Sequence, residues 1–235
     1  MKKYFYIHIP KNGGTSIRRS PYITSVEYAS EENQRYPKER QKAINYLKSI
    51  NEASSCAHSR LIDIKKESLK NKKVFAIVRN PWSRTVSRFL FAKKLIEIEK
   101  TWGSDYADIS SFENFLEERH KWGNVEYLWY RAIKGWYSQY GHVIEENGQV
   151  ACDILRFENY QEDIQKYFGL NSNELIKARN VTNDFTEKGK ILQGKTYMEY
   201  YTDETKNIIG DWYKDDIDYW GFEFETGAQR NYWNV

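Results

Sequence analysis

Between Tyr4 and Ile17 the chain reads Tyr-Phe-Tyr-Ile-His-Ile-Pro-Lys-Asn-Gly-Gly-Thr-Ser-Ile, and no other stretch restricts the fold so strongly. The short apolar run predicts a buried strand that breaks at Pro10. Gly13 and Gly14 permit a tight turn, and a helix begins at Thr15 or Ser16. A strand feeding a glycine turn and a helix N-terminus makes an anion site. Backbone N–H groups converge there, and the helix dipole adds partial positive charge. The glycines let the backbone approach a phosphate-sized group, while Lys11, Thr15 and Ser16 add donors. The order is not that of a Walker A loop, which closes on Gly-Lys-Ser/Thr. Here the lysine precedes the glycines.

A second segment reads Val74-Phe-Ala-Ile-Val-Arg-Asn-Pro-Trp-Ser-Arg-Thr-Val-Ser-Arg-Phe. The continuous apolar run from Lys72 to Val78 suits a parallel strand covered on both faces. Arg79 leaves that strand, Asn80 can cap the next helix, and Pro81 fits its first position. Trp82, Thr85, Val86, Phe89, Leu90 and Lys93 keep a helical period, with Ser83, Ser87, Arg84 and Arg88 on flanking faces. The pair of segments resembles the two nucleotide motifs of sulfotransferases that use 3′-phosphoadenosine 5′-phosphosulfate (PAPS). In that family Pro-Lys-Thr/Ala-Gly-Thr/Ser-Thr/Ser holds the 5′-phosphosulfate, and a strand ending in Arg-Asn/Asp-Pro, with a Ser eight residues beyond the Arg, holds the 3′-phosphate. Arg156-Phe-Glu-Asn-Tyr and Tyr197-Met-Glu-Tyr-Tyr-Thr-Asp-Glu-Thr extend the likeness over nearly the whole chain, towards the carbohydrate-sulfating branch.

The resemblance implies a role for each motif residue. Lys11 meets the bridging oxygen between sulfate and 5′-phosphate, where charge builds as the bond breaks. Asn12, Gly13, Gly14, Thr15 and Ser16 hold the 5′-phosphate, and Arg79 with Ser87 grips the 3′-phosphate. Lys188-Gly189-Lys190 resembles a late loop that covers the nucleotide, although a plain surface loop reads the same way. Relatives carry a His or Glu base between the two motifs. His58 is the candidate, with Glu27, Glu31 and Glu32 as competitors. His8, inside the first strand, reads as a core histidine, while His120 and His142 have no supporting context. Gln139 resembles a glutamine that touches the acceptor. Arg84 suits either a substrate anion or plain solvation. The four His and two Cys have no metal-ligand spacing, so the expected co-substrate is PAPS without a metal. The partner is a glycan or small-molecule hydroxyl acceptor. A kinase-like nucleotide enzyme and a non-catalytic nucleotide-binding module are the alternatives.

The remaining composition bounds rather than decides. At 235 residues and 40 % apolar, the chain suits one domain over 1–235. A net charge of +3 gives no overall affinity for nucleic acid, so any anion site must be a local cluster. Cys56 and Cys152 read as two buried thiols, with a disulfide as the alternative. Met1-Lys-Lys leads directly into the first strand without a signal peptide, and no apolar window spans a membrane. Those features point to the cytoplasm. Further strands are expected at Ser54–Leu61 and Gln149–Phe157. Helices are expected at Lys38–Ile50, Ser111–Arg119, Glu126–Tyr137, Asn159–Phe168 and Asp203–Asp216, with Tyr22–Tyr36 as loop. The expected fold is α/β: a P-loop-type parallel sheet with helices on both faces and an aromatic-rich helical elaboration over 100–145.

Overall fold

Strands β1 (Tyr4–Ile7) and β3 (Lys73–Val78) lie side by side at the centre of a four-stranded parallel sheet, with β2 (Val26–Tyr28) and β4 (Asp153–Arg156) at its edges. The computed structural model describes residues 3–35, 38–49, 56–100, 106–122, 135–177, 196–230 and 233. Side chains alternate along the strands, as a pleat requires. Phe5, Ile7, Ala76, Val78 and Ile154 face one layer of helices; Tyr6, Phe75, Ile77 and Leu155 face the other. All nine are buried. Both faces are therefore apolar, which explains the unbroken hydrophobic run of β3.

The first face packs against α4 (Pro81–Lys93), α5 (Phe112–Trp122), α8 (Asp203–Trp212) and α9 (Lys214–Trp220), through Val86, Phe89, Phe115, Ile209 and Trp220. The second is covered by α1 (Gly14–Arg18) and α7 (Tyr160–Phe168), through Ile17, Ile164 and Tyr167. Shorter or outlying helices are α2 (Lys38–Ser49), α3 (Lys66–Leu69) and α6 (Gln139–Val143). The chain leaves β1 for β2 on one side and returns to β3 on the other. This reversal puts a switch point between β1 and β3, and a crevice opens beyond their carboxyl ends. Lys11 and Arg79 leave those two strands into the same crevice.

The local chemistry of α4 fixes its start. The Asn80 side chain accepts from the Ser83 N–H at 3.1 Å, and Pro81 occupies the first turn. Asn80 Nδ2 also donates to the carbonyls of Glu223 and Thr226, at 2.8 and 2.7 Å. One side chain thus caps the helix and ties the C-terminal segment to it. Beyond Lys93 the helix widens into a π turn over Lys94–Ile98.

Four expectations need correction. Val26–Tyr28 is a strand within the expected loop; three residues at a sheet edge carry too little alternation to be read from sequence. Cys56–His58 is a 3₁₀ turn and not part of a strand. The single helix expected over Asp203–Asp216 is two helices, because the backbone turns at Tyr213 (φ −109°, ψ 31°). Of the helix expected over Glu126–Tyr137, residues 135–137 are non-helical and the rest lies outside the described residues. Both cysteines are free thiols. Among the described residues no helix is long and apolar enough to cross a membrane.

Asn80→Ala removes both the cap and the ties to the C-terminal segment. A lost cap costs about 0.5–2 kcal/mol, and carbonyls left unpaired in a partly buried site add about 1–3 kcal/mol. The expected outcome is a lower urea midpoint with an unchanged m-value; a native midpoint would show that the C-terminal segment holds itself.

Candidate active site

The loop after β1 is built from backbone conformations that few residues adopt. Lys11 has φ 70° and Gly13 has φ 81°, both in the left-handed region. A Cβ on Gly13 would lie 2.6 Å from the Tyr160 ring, and one on Gly14 would lie 2.1 Å from His8 Nε2. Both positions therefore exclude a side chain. The Tyr160 hydroxyl donates to the Gly13 carbonyl at 2.9 Å, and the Ser16 N–H closes the turn onto the same carbonyl. Thr15 is half-buried and Ser16 buried. Asn12 is fully buried, and its Nδ2 donates to the Ile77 carbonyl and to Gln139 Oε1, both at 2.7 Å. Its amide N–H groups anchor the loop to β3 and α6.

Arg79 stands across the crevice, its guanidinium 4.2 Å from the Phe157 ring centroid. Nε and Nη2 donate to Ser83 Oγ at 2.9 and 2.8 Å, and Nη1 donates to the Lys11 carbonyl at 3.0 Å. Arg79 therefore bonds Ser83 and not Ser87, whose hydroxyl makes no hydrogen bond among the described residues. Ser83, Ser87 and Phe91 recur every four residues on one face of α4. The Lys11 ammonium sits 3.8 Å above the Phe91 ring at the end of that row.

Two further arginines lie behind the loop. Arg84 is buried, with Nε donating to the Pro10 carbonyl at 3.2 Å and Nη1 to the Tyr137 carbonyl at 3.1 Å. Arg88, also buried, donates to the Tyr213 hydroxyl at 3.3 Å and stacks on Trp136 at 4.3 Å. Lys11, Arg79 and Arg84 make no ion pair among the described residues. Desolvation, and then the charges of Arg79, Lys94 and Arg88, hold the Lys11 pKa down at about 7. Burial likewise lowers Arg79 and Arg88 to about 10. A cluster of mutually repelling cations in a glycine-lined crevice is arranged for an anion.

Three histidines line the same end of the sheet. His58 Nδ1 bonds the His8 carbonyl at 3.0 Å; a carbonyl only accepts, so Nδ1 carries the proton and Nε2 holds the lone pair. The His8 and His58 rings lie 4.4 Å apart. His142 is fully buried and has the same tautomer, with Nδ1 donating to the Ser138 carbonyl at 2.8 Å. Burial is the main cause that lowers the pKa of His58 to about 4, and of His142 to about 3; neighbouring arginines add to it. Both rings are neutral around pH 7.

Gln139 and Arg84, expected to meet the acceptor, are both buried behind the loop. Gln139 bonds Asn12, both polar groups of the Arg79 backbone, and Asp216. Among the carboxylates weighed as bases, Glu27 pairs with Lys72 at 2.6 Å on the amino-terminal half of the sheet, away from the crevice. Glu31 and Glu32 are exposed in a 3₁₀ turn. Lys188, Gly189 and Lys190 lie outside the described residues. Sequence reading missed Ser83, Phe91, Phe157, His142 and Asp216. The four-residue spacing from Arg79 through Ser83 and Ser87 to Phe91 was the available signal for two of them. Asp216 had none. Among the described residues no group of three or more His, Cys, Asp or Glu side chains is placed to hold a metal ion.

A solved structure, a sulfotransferase from Alicyclobacillus acidocaldarius, aligns over 93 % of each chain with 13 % identity and a TM-score of 0.46. No curated protein matches the sequence. The sulfotransferase family profile matches residues 2–223. The kinase-like and non-catalytic alternatives therefore fall away, and the chain belongs to the sulfotransferase family.

Proposed function

We propose that this sulfotransferase takes its sulfuryl group from PAPS and passes it to a hydroxyl of a glycan or glycosylated metabolite. The observation that carries the donor assignment is the placement of Lys11 and Arg79 at the ends of adjacent strands, with an ion pair to neither among the described residues. The donor fits the residues present. Gly13 and Gly14 let the loop backbone turn tightly against the Tyr160 and His8 rings, and α1 begins there. Arg79 supplies a planar fork of donors that matches a 3′-phosphate dianion, and Ser87, one turn beyond the Ser83 that Arg79 bonds, is assigned to the same phosphate by the resemblance of the motif. The glycan acceptor rests on the resemblance of the motifs. Trp136 of the 100–145 region does not add to it, since it is buried against Phe115 and Arg88. We further propose that the whole chain acts as one domain in the cytoplasm.

PAPS supplies the sulfuryl group; the chain's residues supply positioning and charge. The Lys11 ammonium stabilises the negative charge left on the departing phosphate oxygen. His58 Nε2, already a lone pair, accepts the proton of the attacking hydroxyl. Arg79 and Ser87 fix the nucleotide end, so that the attacking oxygen and the leaving phosphate stand in line. Each role is assigned to a group whose protonation state suits it, apart from Lys11, whose ammonium is only partly populated near neutrality.

The donor assignment is tested by calorimetric titration with adenosine 3′,5′-bisphosphate, AMP and ATP. A charge-assisted bidentate contact contributes roughly 1.5–3 kcal/mol, so the bisphosphate should bind about ten- to a hundred-fold tighter than AMP. Arg79→Ala should erase most of that preference. Equal binding by the native protein would refute the 3′-phosphate site.

Lys11 gives a pH dependence whose sign follows from its lowered pKa. Above about pH 7 the free protein carries a neutral amine, whereas the anion favours the ammonium. Bisphosphate affinity should therefore fall as pH rises from 7 to 9, with proton uptake on binding, and Lys11→Met should flatten this slope. A native protein that binds equally well across that range would remove Lys11 from the anion.

His58 is tested through turnover of PAPS against a glycan panel. His58→Ala should cut the rate by about 10²–10⁴ and leave bisphosphate affinity intact. Because kcat/KM reports the free enzyme, its acid limb should lie near pH 4 and not at the 6–7 of an ordinary imidazole. A folded variant with near-native turnover would place the base elsewhere.

A further inference from the structure

Asp216 lies on α9, far along the chain from both nucleotide motifs, yet it is fully buried behind them. Its Oδ2 accepts from the Gln139 N–H at 3.0 Å and from Gln139 Nε2 at 3.2 Å, and its Oδ1 accepts from the Tyr140 N–H at 2.7 Å. The carboxylate thereby seats the first turn of α6. Gln139 uses its whole hydrogen-bonding capacity. Nε2 also donates to the Arg79 carbonyl at 2.8 Å, while Oε1 accepts from the Arg79 N–H at 2.9 Å and from Asn12 Nδ2 at 2.7 Å.

This amide does the work of a missing strand. β1 ends its pairing at Ile7↔Ala76 and then turns into the loop. Beyond that point the Ile77 carbonyl is satisfied by Asn12, and the N–H and C=O of Arg79 are satisfied by Gln139. The backbone that launches the Arg79 guanidinium is therefore set by α6, and α6 by α9. Asn12, the residue after Lys11, is held by the same oxygen. A packing role alone would be met by apolar side chains without the cost of burying a carboxylate.

The geometry points to Asp216 and Gln139 as positioning residues for sulfuryl transfer, which fix Lys11 and Arg79 relative to one another. This inference rests on the proposed roles of those two cations. Both positioning residues are fully buried and bonded to protein groups.

The test uses Gln139→Met, which keeps the length and removes the polar groups, and Asp216→Asn. For each, melting temperature, affinities for adenosine 3′,5′-bisphosphate and AMP, and PAPS turnover are measured well below the melting point. A misplacement of about 1 Å costs about 10² in rate. The expected result is a loss of that order in turnover, with the preference for bisphosphate over AMP reduced about ten-fold. A lower melting temperature with native preference and turnover would overturn the inference, leaving the network a support of the fold only. Gln139→Glu decides the case should those variants not fold. Its ionised carboxylate cannot donate to the Arg79 carbonyl or to Asp216, so turnover should be low and should recover relative to the native profile on acidification, as the introduced carboxyl gains a proton. No recovery would count against positioning. A native protein that does not prefer bisphosphate over AMP fails at a different point: the 3′-phosphate reading falls before any variant is made.

Discussion

Three consecutive residues, Pro10, Lys11 and Asn12, are each held by a different side chain, and the crevice depends on that grip. Arg84 holds the Pro10 carbonyl, Arg79 the Lys11 carbonyl, and Gln139 the Asn12 amide. Between these ties Lys11 keeps a left-handed backbone, which costs a non-glycine residue roughly 1 kcal/mol or more. Such a conformation persists only where neighbours determine it. All three anchors come from outside the loop: two from the segment after β3 and one from α6. The loop therefore has little shape of its own, and β3 with its flanking helices imposes it.

The same arrangement explains why the site is rich in cations yet poor in carboxylates. Arg84 donates to backbone carbonyls, and Arg79 to one carbonyl and the Ser83 hydroxyl, neutral acceptors that orient a guanidinium without an ion pair. Glu158 comes near Arg79, but its carboxylate accepts from the Asn80 N–H at 2.8 Å and so belongs to the start of α4. Asp216 feels the charge of Arg84, but its oxygens are taken up by three N–H groups of α6. Neither carboxylate forms an ion pair with the arginine it acts on, so both guanidinium groups stay fixed by neutral acceptors.

The sequence displayed this plan unevenly. β1, β3, the glycine turn and the Asn80-Pro81 start of α4 were legible because each depends on local chemistry: an apolar run, a φ only glycine tolerates, a side chain that caps the next turn. The fold class followed from their order. What escaped were features defined by distance in the chain. The edge strand β2 is only three residues and borrows its order from β1. The break at Tyr213 has no proline or glycine to announce it. Gln139 was singled out, but its identity could not tell an acceptor contact from an internal tie, since an amide serves either. Asp216 sits among other acidic residues of α9, where only the fold distinguishes the one turned inward. Ser83 and Ser87 share a helical face, and periodicity alone could not say which of them Arg79 would bond.

The histidines close the physical argument. His58 and His142 both donate Nδ1–H to a backbone carbonyl, so each presents Nε2 as an acceptor without needing a carboxylate to set its tautomer. Burial beside cations makes them poor bases in the empty protein, just as it makes Lys11 a weak acid-holder. These are one effect, desolvation in a dry site, to which the neighbouring cations add. On the proposed reading, a polyanion placed among Lys11, Arg79 and Arg84 reverses the field of those cations. It raises the pKa of Lys11, which must be charged, and of His58, which must accept a proton. The donor nucleotide would then prepare both groups at once, and an acceptor arriving first would meet neither in its working state.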